Sequence, residues 1–70
     1  MRYAIVIEKA EGNFYAKVPD LPRCVATGAT VAEVEAEIRE AIIFHVDGLR
    51  EDELPIPDAV SRFEYIEVAA

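Results

Sequence analysis

The sequence predicts a single α+β domain with the element order β-β-β-α-β, in which one helix covers one face of the sheet. Three observations predict it. Short β-prone runs alternate with turn residues over the first 28 positions, one long amphipathic segment follows, and two prolines separate that segment from a final β-prone run. The 70 residues suffice for one domain, residues 1–70, and are too few for a multidomain enzyme with a large cleft.

Three short strands are predicted before the helix, each bounded by turn residues. Their ranges are residues 3–7, 14–18 and 24–27. Gly12 and Asn13 mark the first turn, and two prolines make residues 19–23 a rigid second turn. Alternation in the second strand places Tyr15 and Lys17 on the face away from the helix. That face is expected to be bare unless another subunit or a partner covers it.

The helix is predicted to run from an N-cap at Thr30 to about Glu51. Glu33, three residues after Thr30, completes a capping box. An apolar stripe wide enough to cover a sheet follows at helical spacing. It consists of Val31, Val34, Ile38, Ala41, Ile42, His45 and Leu49. Two prolines then prevent continuation, and residues 63–68 are predicted to form a fourth strand.

The charge balance disfavours several classes of partner. The chain has 14 acidic and 7 basic residues, a formal net charge of −7, so phosphate backbones and anionic membrane surfaces repel it. Most of the acidity lies in residues 31–54, with eight acidic residues against two arginines.

The lone Cys24 cannot form an internal disulfide, and the first apolar run is too short for a signal peptide or a membrane span. A cytoplasmic protein is expected.

The sequence shows no constellation of residues typical of catalysis or metal binding. His45 is the only histidine and lies in the apolar stripe, where a packed core histidine is expected. Cys24 is expected to be an inert thiol in a strand. A divalent-metal nuclease using Glu8 with Glu37 and Glu64 is an alternative that only fold analogy suggests. The chain is therefore expected not to be an enzyme and to need neither a cofactor nor a metal.

The outer face of the predicted helix is the candidate partner-binding surface. Phe44 falls among acidic residues there, on the side where its ring cannot reach the intramolecular core. An aromatic ring among charges is typical of a protein-binding or subunit surface, although single exposed aromatic residues are common. The candidate residues are Glu33, Glu37, Glu40, Phe44 and Glu51.

The chain resembles the HicB-like antitoxins of bacterial toxin–antitoxin pairs over nearly its whole length. The motifs that carry the resemblance are, in order, Ile7-Glu8-Lys9, Val18-Pro19-Asp20-Leu21-Pro22-Arg23-Cys24, Thr27-Gly28-Ala29-Thr30, His45-Val46-Asp47-Gly48-Leu49-Arg50-Glu51-Asp52 and Pro55-Ile56-Pro57. Arg23 and Glu53 stand where the family usually has glycine. A type I turn with Pro22 at its second position is expected to suit Arg23, and the helix is expected to end less sharply at Glu53.

The resemblance implies a partial ribonuclease H-like fold, a three-stranded antiparallel meander with a fourth strand parallel to the first. It implies an inhibitor whose partner is a small basic toxin of the HicA type that cleaves messenger RNA. Family members often add a C-terminal DNA-binding module, for which a chain ending at Ala70 has no room, so direct nucleic-acid binding is not expected. The alternative function is that of an orphan homo-oligomer, a dimer or larger, acting as a binding or scaffold module, since a core this small needs a supplement.

Overall fold

The computed structural model describes residues 1–69, which form three strands followed by one helix. The strands are β1 (Val6–Ala10), β2 (Asn13–Lys17) and β3 (Val25–Gly28), and the helix is α1 (Val31–Glu51). The strands make one antiparallel sheet in the order β1-β2-β3. The α+β class and the three-stranded meander are therefore confirmed.

The register of the sheet fixes which side chains face the helix. Ala16 pairs with Ile7 of β1 and Ala26 of β3, and Ala16 is completely buried beneath α1. Tyr15, the neighbour of Ala16, pairs with Glu8 and points to the opposite face, as alternation along a strand requires. We call this second side, which α1 does not cover, the open face.

The core lies between α1 and the sheet and is small. Within the described chain its buried side chains are Ala16, Val18, Leu21, Cys24, Val34, Ile38 and Val46. Three of them, Val18, Leu21 and Cys24, come from the loop between β2 and β3. The helix packs mainly over β3 and β2. The part of the sheet along β1 is consequently less covered than the rest.

The start of α1 is fixed by a cap and by close contact with β3. The Oγ1 of Thr30 accepts a hydrogen bond from the N–H of Glu33 at 3.1 Å, and the Glu33 carboxylate accepts one from the N–H of Ala29 at 2.8 Å. Together they form the predicted capping box, with the reciprocal bond from Glu33 shifted to the N–H of Ala29 instead of that of Thr30. A Cβ at Gly28 would lie 2.6 Å from the backbone nitrogen of Val34. Only glycine allows this close approach between strand and helix.

The turn at Arg23 differs from the type I turn that the sequence predicted. Arg23 has a φ of 68°, and the N–H of Cys24 donates to the carbonyl of Leu21 at 3.1 Å. A positive φ at the third position, following Pro22, is the geometry of a type II turn. The loop imposes it, because burial of Leu21 and Cys24 fixes the direction of the chain on both sides of Arg23.

The expectation of a gradual helix end at Glu53 was also wrong. The N–H of Leu54 donates to the carbonyl of Leu49 at 2.9 Å, and the N–H of Glu53 donates to the carbonyl of Arg50 at 3.1 Å. With a φ of 55° at Glu53 these bonds form a Schellman motif. The helix therefore ends sharply at Glu51, and a non-glycine residue adopts the left-handed conformation.

The predicted fourth strand, residues 63–68, is not formed. Within residues 1–69 no strand follows α1, and β1 pairs only with β2. Tyr65 and Ile66 expose 88% and 82% of their surface. A β-prone sequence becomes a strand only where a neighbouring strand supplies hydrogen bonds and a packed layer buries one face. This segment has neither in the described chain, and the ribonuclease H-like relationship, which needs it, stays a prediction.

Two contacts hold the chain after α1 against the N-terminal residues and the loop between β2 and β3. The hydroxyl of Tyr3 donates to the carbonyl of Pro57 at 2.6 Å. The N–H and the hydroxyl of Ser61 both donate to the Asp20 carboxylate, at 2.9 and 2.8 Å. The bond from the backbone of Ser61, followed by the bond from its side chain, lowers the pKa of Asp20. Beyond Ser61 the chain runs beside β1 without pairing with it, and most of its apolar side chains are exposed. The molecule measures 48 × 27 × 16 Å.

Candidate protein-binding surface

The outer side of α1 brings together the five residues that the sequence predicted for partner binding. Their intervals of three, four and seven residues place them on one stripe, opposite the buried Val34 and Ile38. The members of this stripe, which we call the acidic face, are Glu33, Glu37, Glu40, Phe44 and Glu51. All five are exposed. The predicted apolar side is confirmed at Val34 and Ile38, whereas Val31 is exposed and Val46, which the predicted stripe did not include, is buried.

Phe44 is the one large apolar side chain of the acidic face. It exposes 82% of its surface and takes no part in the core. Glu40 lies one turn before it, and Asp47 lies one turn after it on the same side. Asp47 and Arg50 form an exposed ion pair at 3.9 Å, which contributes little to stability. The ring of Phe44 is therefore presented to solvent within a rim of carboxylates.

The carboxylates of the acidic face differ in what they contact. Glu33 is engaged in the capping box, since its carboxylate accepts the N–H of Ala29. Within residues 1–69, Glu37, Glu40 and Glu51 form no ion pair within 4.0 Å. These three carboxylates are the ones whose charge is available to a partner.

The groups considered for catalysis are not assembled into a site. Glu8 lies on the open face, where it pairs with Lys17 at 3.5 Å, whereas Glu37 lies on the outer side of α1. Glu64 pairs instead with Arg62 at 3.2 Å. In the described part of the chain no three histidine, cysteine or acidic side chains are grouped to hold a metal ion. The geometry therefore gives the metal-nuclease alternative no support.

The two remaining candidates, Cys24 and His45, lie toward the interior. Cys24 is buried, and its removal from water raises the pKa of its thiol. A neutral, buried thiol is a poor nucleophile, as the sequence predicted, although Cys24 lies in the loop before β3 and not in the strand itself. His45 is half-buried on the apolar side of α1.

No helix in residues 1–69 combines the length and the apolar character that crossing a membrane requires.

An apolar groove beside β1 was missed by the sequence reasoning. It lies between the N-terminal residues and α1, has a volume of about 390 Å³, and is lined in part by Tyr3, Ile5, Ile42 and Ile43. The groove exists because α1 packs over β2 and β3 and leaves β1 less covered. The sequence did contain one indication of this groove: Ile43 lies outside the predicted apolar stripe. A large apolar residue on another side of the helix suggests that a further part of the protein packs there.

Comparison with known proteins agrees on one family. A model of the HicB-like antitoxins of bacterial toxin–antitoxin systems matches residues 3–69. An uncharacterised 14.9 kDa protein of Haemophilus phage HP1 is 38% identical over 94% of this chain and 50% of the phage protein. A UPF0150 protein of Thermoplasma acidophilum is 36% identical over 81% of this chain and 84% of its own.

A further UPF0150 protein, from Helicobacter pylori, is 43% identical over 70% of this chain and 68% of its own. The chain thus spans about half the length of the phage relative and most of the length of the UPF0150 relatives. No solved structure matches the chain with comparable significance. The family is therefore established by sequence alone.

Proposed function

Because the chain belongs to the HicB-like antitoxins of bacterial toxin–antitoxin systems, we propose that it neutralises a small basic toxin of the HicA type, which cleaves messenger RNA. In this proposal the acidic face lies over the active site of the toxin and keeps RNA out. The observation that carries it is a stripe of exposed carboxylates with the ring of Phe44 among them. The proposal places the protein in the cytoplasm, where messenger RNA is translated.

Charge complementarity supports the choice of partner. A protein that binds RNA needs a cationic surface to meet the phosphates. Residues 31–54 of this chain carry eight acidic residues and two arginines, and so present the opposite charge. Complementary potentials accelerate encounter and disfavour wrong partners, and salt weakens both effects. The same charge keeps the free chain away from RNA.

Phe44 supplies the apolar anchor that a tight interface needs in addition to complementary charge. Tight interfaces usually have a central aromatic or arginine anchor that is dehydrated on binding and surrounded by a polar rim. Phe44 has this arrangement in the free chain, with Glu40 one turn away. Truncation of such an anchor costs about 2 kcal/mol or more, which is about 30-fold in Kd.

The construction of α1 supports its use as a binding element. The helix is closed by a capping box at Thr30 and by a Schellman motif at Glu53. Its inner side is fixed by Val34 and Ile38 in the core. A surface that is rigid before binding loses little conformational entropy when the partner arrives.

The test is inhibition of RNA cleavage by a small basic toxin encoded beside this chain. The native chain is expected to block cleavage at a stoichiometric ratio, and Phe44→Ala is expected to raise Kd about 30-fold. The double variant Glu37→Lys, Glu40→Lys should slow association and flatten its dependence on salt. The matched control is Glu11→Lys, an exposed acidic residue outside α1, which should leave the salt dependence of association nearly unchanged.

Two outcomes would refute the proposal. One is a neighbouring basic protein that does not bind this chain at micromolar concentration. The other is binding that Phe44→Ala and the double lysine variant leave unchanged. Circular dichroism of each variant ensures that a loss of binding is not a loss of fold.

The second candidate function is a stand-alone oligomeric binding or scaffold module. The exposed apolar side chains after Ser61 favour it, because soluble monomers seldom expose such a run. In the form that the sequence suggested, Phe44 would be buried between subunits. Phe44→Ala would then weaken self-association, whereas under the antitoxin proposal it weakens only toxin binding.

A further inference from the structure

The residues after Ser61 have the composition of a strand but are largely exposed. We call residues 62–69 the C-terminal arm. Alternation along it places Phe63 and Tyr65 on one side and Ile66 and Val68 on the other. All four expose more than half of their surface. Each side also carries one glutamate, Glu67 beside Tyr65 and Glu64 beside Ile66. Two large apolar side chains on each side are nevertheless typical of a strand covered on both faces.

The edge of β1 is open beside this arm. β1 pairs only with β2, so the N–H and C=O groups along its other edge are available to a further strand. An open space of about 500 Å³ separates β1 from the arm, and Ile5, Ile7, Phe63 and Tyr65 contribute to its lining. The apolar groove between the N-terminal residues and α1 lies on this same side of the molecule. The domain thus lacks a strand where it has a free edge and an uncovered apolar surface.

The arm of the same chain does not fill this position. It starts from Ser61, which is bonded to Asp20 in the loop between β2 and β3. No backbone hydrogen bond joins it to β1 in the described chain. The domain also has only one layer over its sheet. Docking of its own arm would therefore bury one side of the arm and leave the other in water.

We propose that two copies of this chain exchange their C-terminal arms, each arm adding as a fourth strand to the β1 edge of the other copy. A two-fold symmetric exchange makes both contacts at once. The two arms pass each other at the symmetry axis, where Ile66 and Val68 of one copy can pack against the same residues of the other. The exchange buries both sides of the arm and enlarges a core that is small for independent stability.

The exchanged dimer is compatible with toxin binding. Glu35, which lines the space beside β1, lies on the flank of α1 away from the acidic face. Phe44 and its neighbouring carboxylates therefore stay exposed in the dimer. The inference goes beyond the proposed function, since arm exchange can occur with or without a toxin.

The test is disulfide formation between β1 and the arm, in a Cys24→Ala background of the full chain. Val6 pairs with Lys17 and lies on the open face. Because neighbouring arm residues point to opposite sides, Tyr65→Cys and Ile66→Cys together guarantee one thiol on that face. The Val6→Cys chain is mixed with each arm variant in turn, one partner carrying a mass tag, and one of the two mixtures is expected to give a disulfide-linked heterodimer. The Val6→Cys chain mixed with Glu51→Cys is the control for random collision.

Three outcomes decide the question. A heterodimer formed at least tenfold faster than the Glu51→Cys control supports exchange. An intrachain disulfide in the double variant of one chain, with a monomer in sedimentation, overturns it, because the arm then docks on its own β1. Equal rates for arm and control pairs overturn it as well.

Sedimentation of the full chain without introduced cysteines is the independent measurement. The native chain is expected to be a dimer. The double variant Ile66→Glu, Val68→Glu should dissociate at a protein concentration at least tenfold higher than native, with the helix signal in circular dichroism retained. Phe44→Ala should not change this concentration. A native monomer at all concentrations, or an arm variant that dimerises as well as native, refutes the proposal.

Discussion

At the scale of single residues, the molecule places two non-glycine residues in left-handed backbone conformations. Arg23 has a φ of 68° in the turn after Pro22, and Glu53 has a φ of 55° just after α1. Both stand where the family resemblance led us to expect glycine. A side chain at such a φ costs roughly 1–2 kcal/mol because Cβ approaches a carbonyl oxygen. The surrounding hydrogen bonds, rather than the local residue, therefore decide these two conformations.

Replacing Arg23 by glycine is expected to stabilise the protein. Glycine removes the strain of the left-handed conformation from the folded state, but it also increases the conformational entropy of the unfolded chain. Because the first effect is the larger in free energy, the free energy of unfolding should rise by about 0.5–1 kcal/mol. For a domain of this size the thermal midpoint should rise by about 2–8 °C. Arg50→Gly, the same exchange inside α1, is the control and should destabilise by about 1 kcal/mol. A lower midpoint for Arg23→Gly would contradict the assignment of strain to this turn.

At the scale of the element, α1 has two independent sides. Val34 and Ile38 are buried against the sheet, whereas Phe44 projects from the opposite side. Helical spacing keeps the two sets apart along the whole 21-residue helix. One side consequently serves stability, and the other is available for binding.

Two truncations in α1 are expected to separate these roles. Ile38→Ala removes a side chain that is almost fully buried and should cost about 2–5 kcal/mol of unfolding free energy. Phe44→Ala removes a larger side chain that is exposed, and should change stability by less than about 0.5 kcal/mol. Denaturant unfolding of both variants at several protein concentrations measures the difference. Comparable losses for the two would mean that Phe44 is packed rather than presented.

At the scale of the whole molecule, the sheet, the β2–β3 loop and the chain after α1 are joined by few contacts. The bond from Tyr3 to Pro57 and the pair of bonds from Ser61 to Asp20 connect residues 54 and 41 positions apart. These contacts set the point from which the C-terminal arm leaves the domain. They are therefore the contacts on which arm exchange depends.

The contact between Ser61 and Asp20 is expected to weaken at low pH. Hydrogen bonds from the backbone and the hydroxyl of Ser61 lower the pKa of the Asp20 carboxyl below its ordinary value of 3.8. A carboxyl with a lowered pKa stabilises the folded state above its unfolded pKa, and this contribution is lost as the pH falls through the lowered value. Carbon NMR of the Asp20 carboxyl should show a midpoint below 3.8. Ser61→Ala, which removes the hydroxyl donor, should raise that midpoint, and a native midpoint at or above 3.8 would contradict the contact.

The local features of this protein are determined by its sequence. Thr30 and Glu33 predicted the start of α1, and the spacing of Val34 and Ile38 predicted its buried side, because capping and helical periodicity depend on nearby residues alone. The same periodicity placed Phe44 and the carboxylates of the acidic face on the outside. The antitoxin family was also accessible from the order of short motifs along the chain.

Only the tertiary structure decided the features that depend on distant partners. The segment containing Tyr65 has the sequence of a strand, yet it pairs with nothing in the described chain, because strand formation requires an edge and a covering layer from elsewhere. Arg23 takes a glycine conformation because buried neighbours fix the path of the chain. The edge of β1 is likewise open because no strand of the described chain pairs with it on that side. Helix caps and faces are short-range properties of a sequence, whereas strand pairing and imposed backbone conformations are properties of the assembled fold.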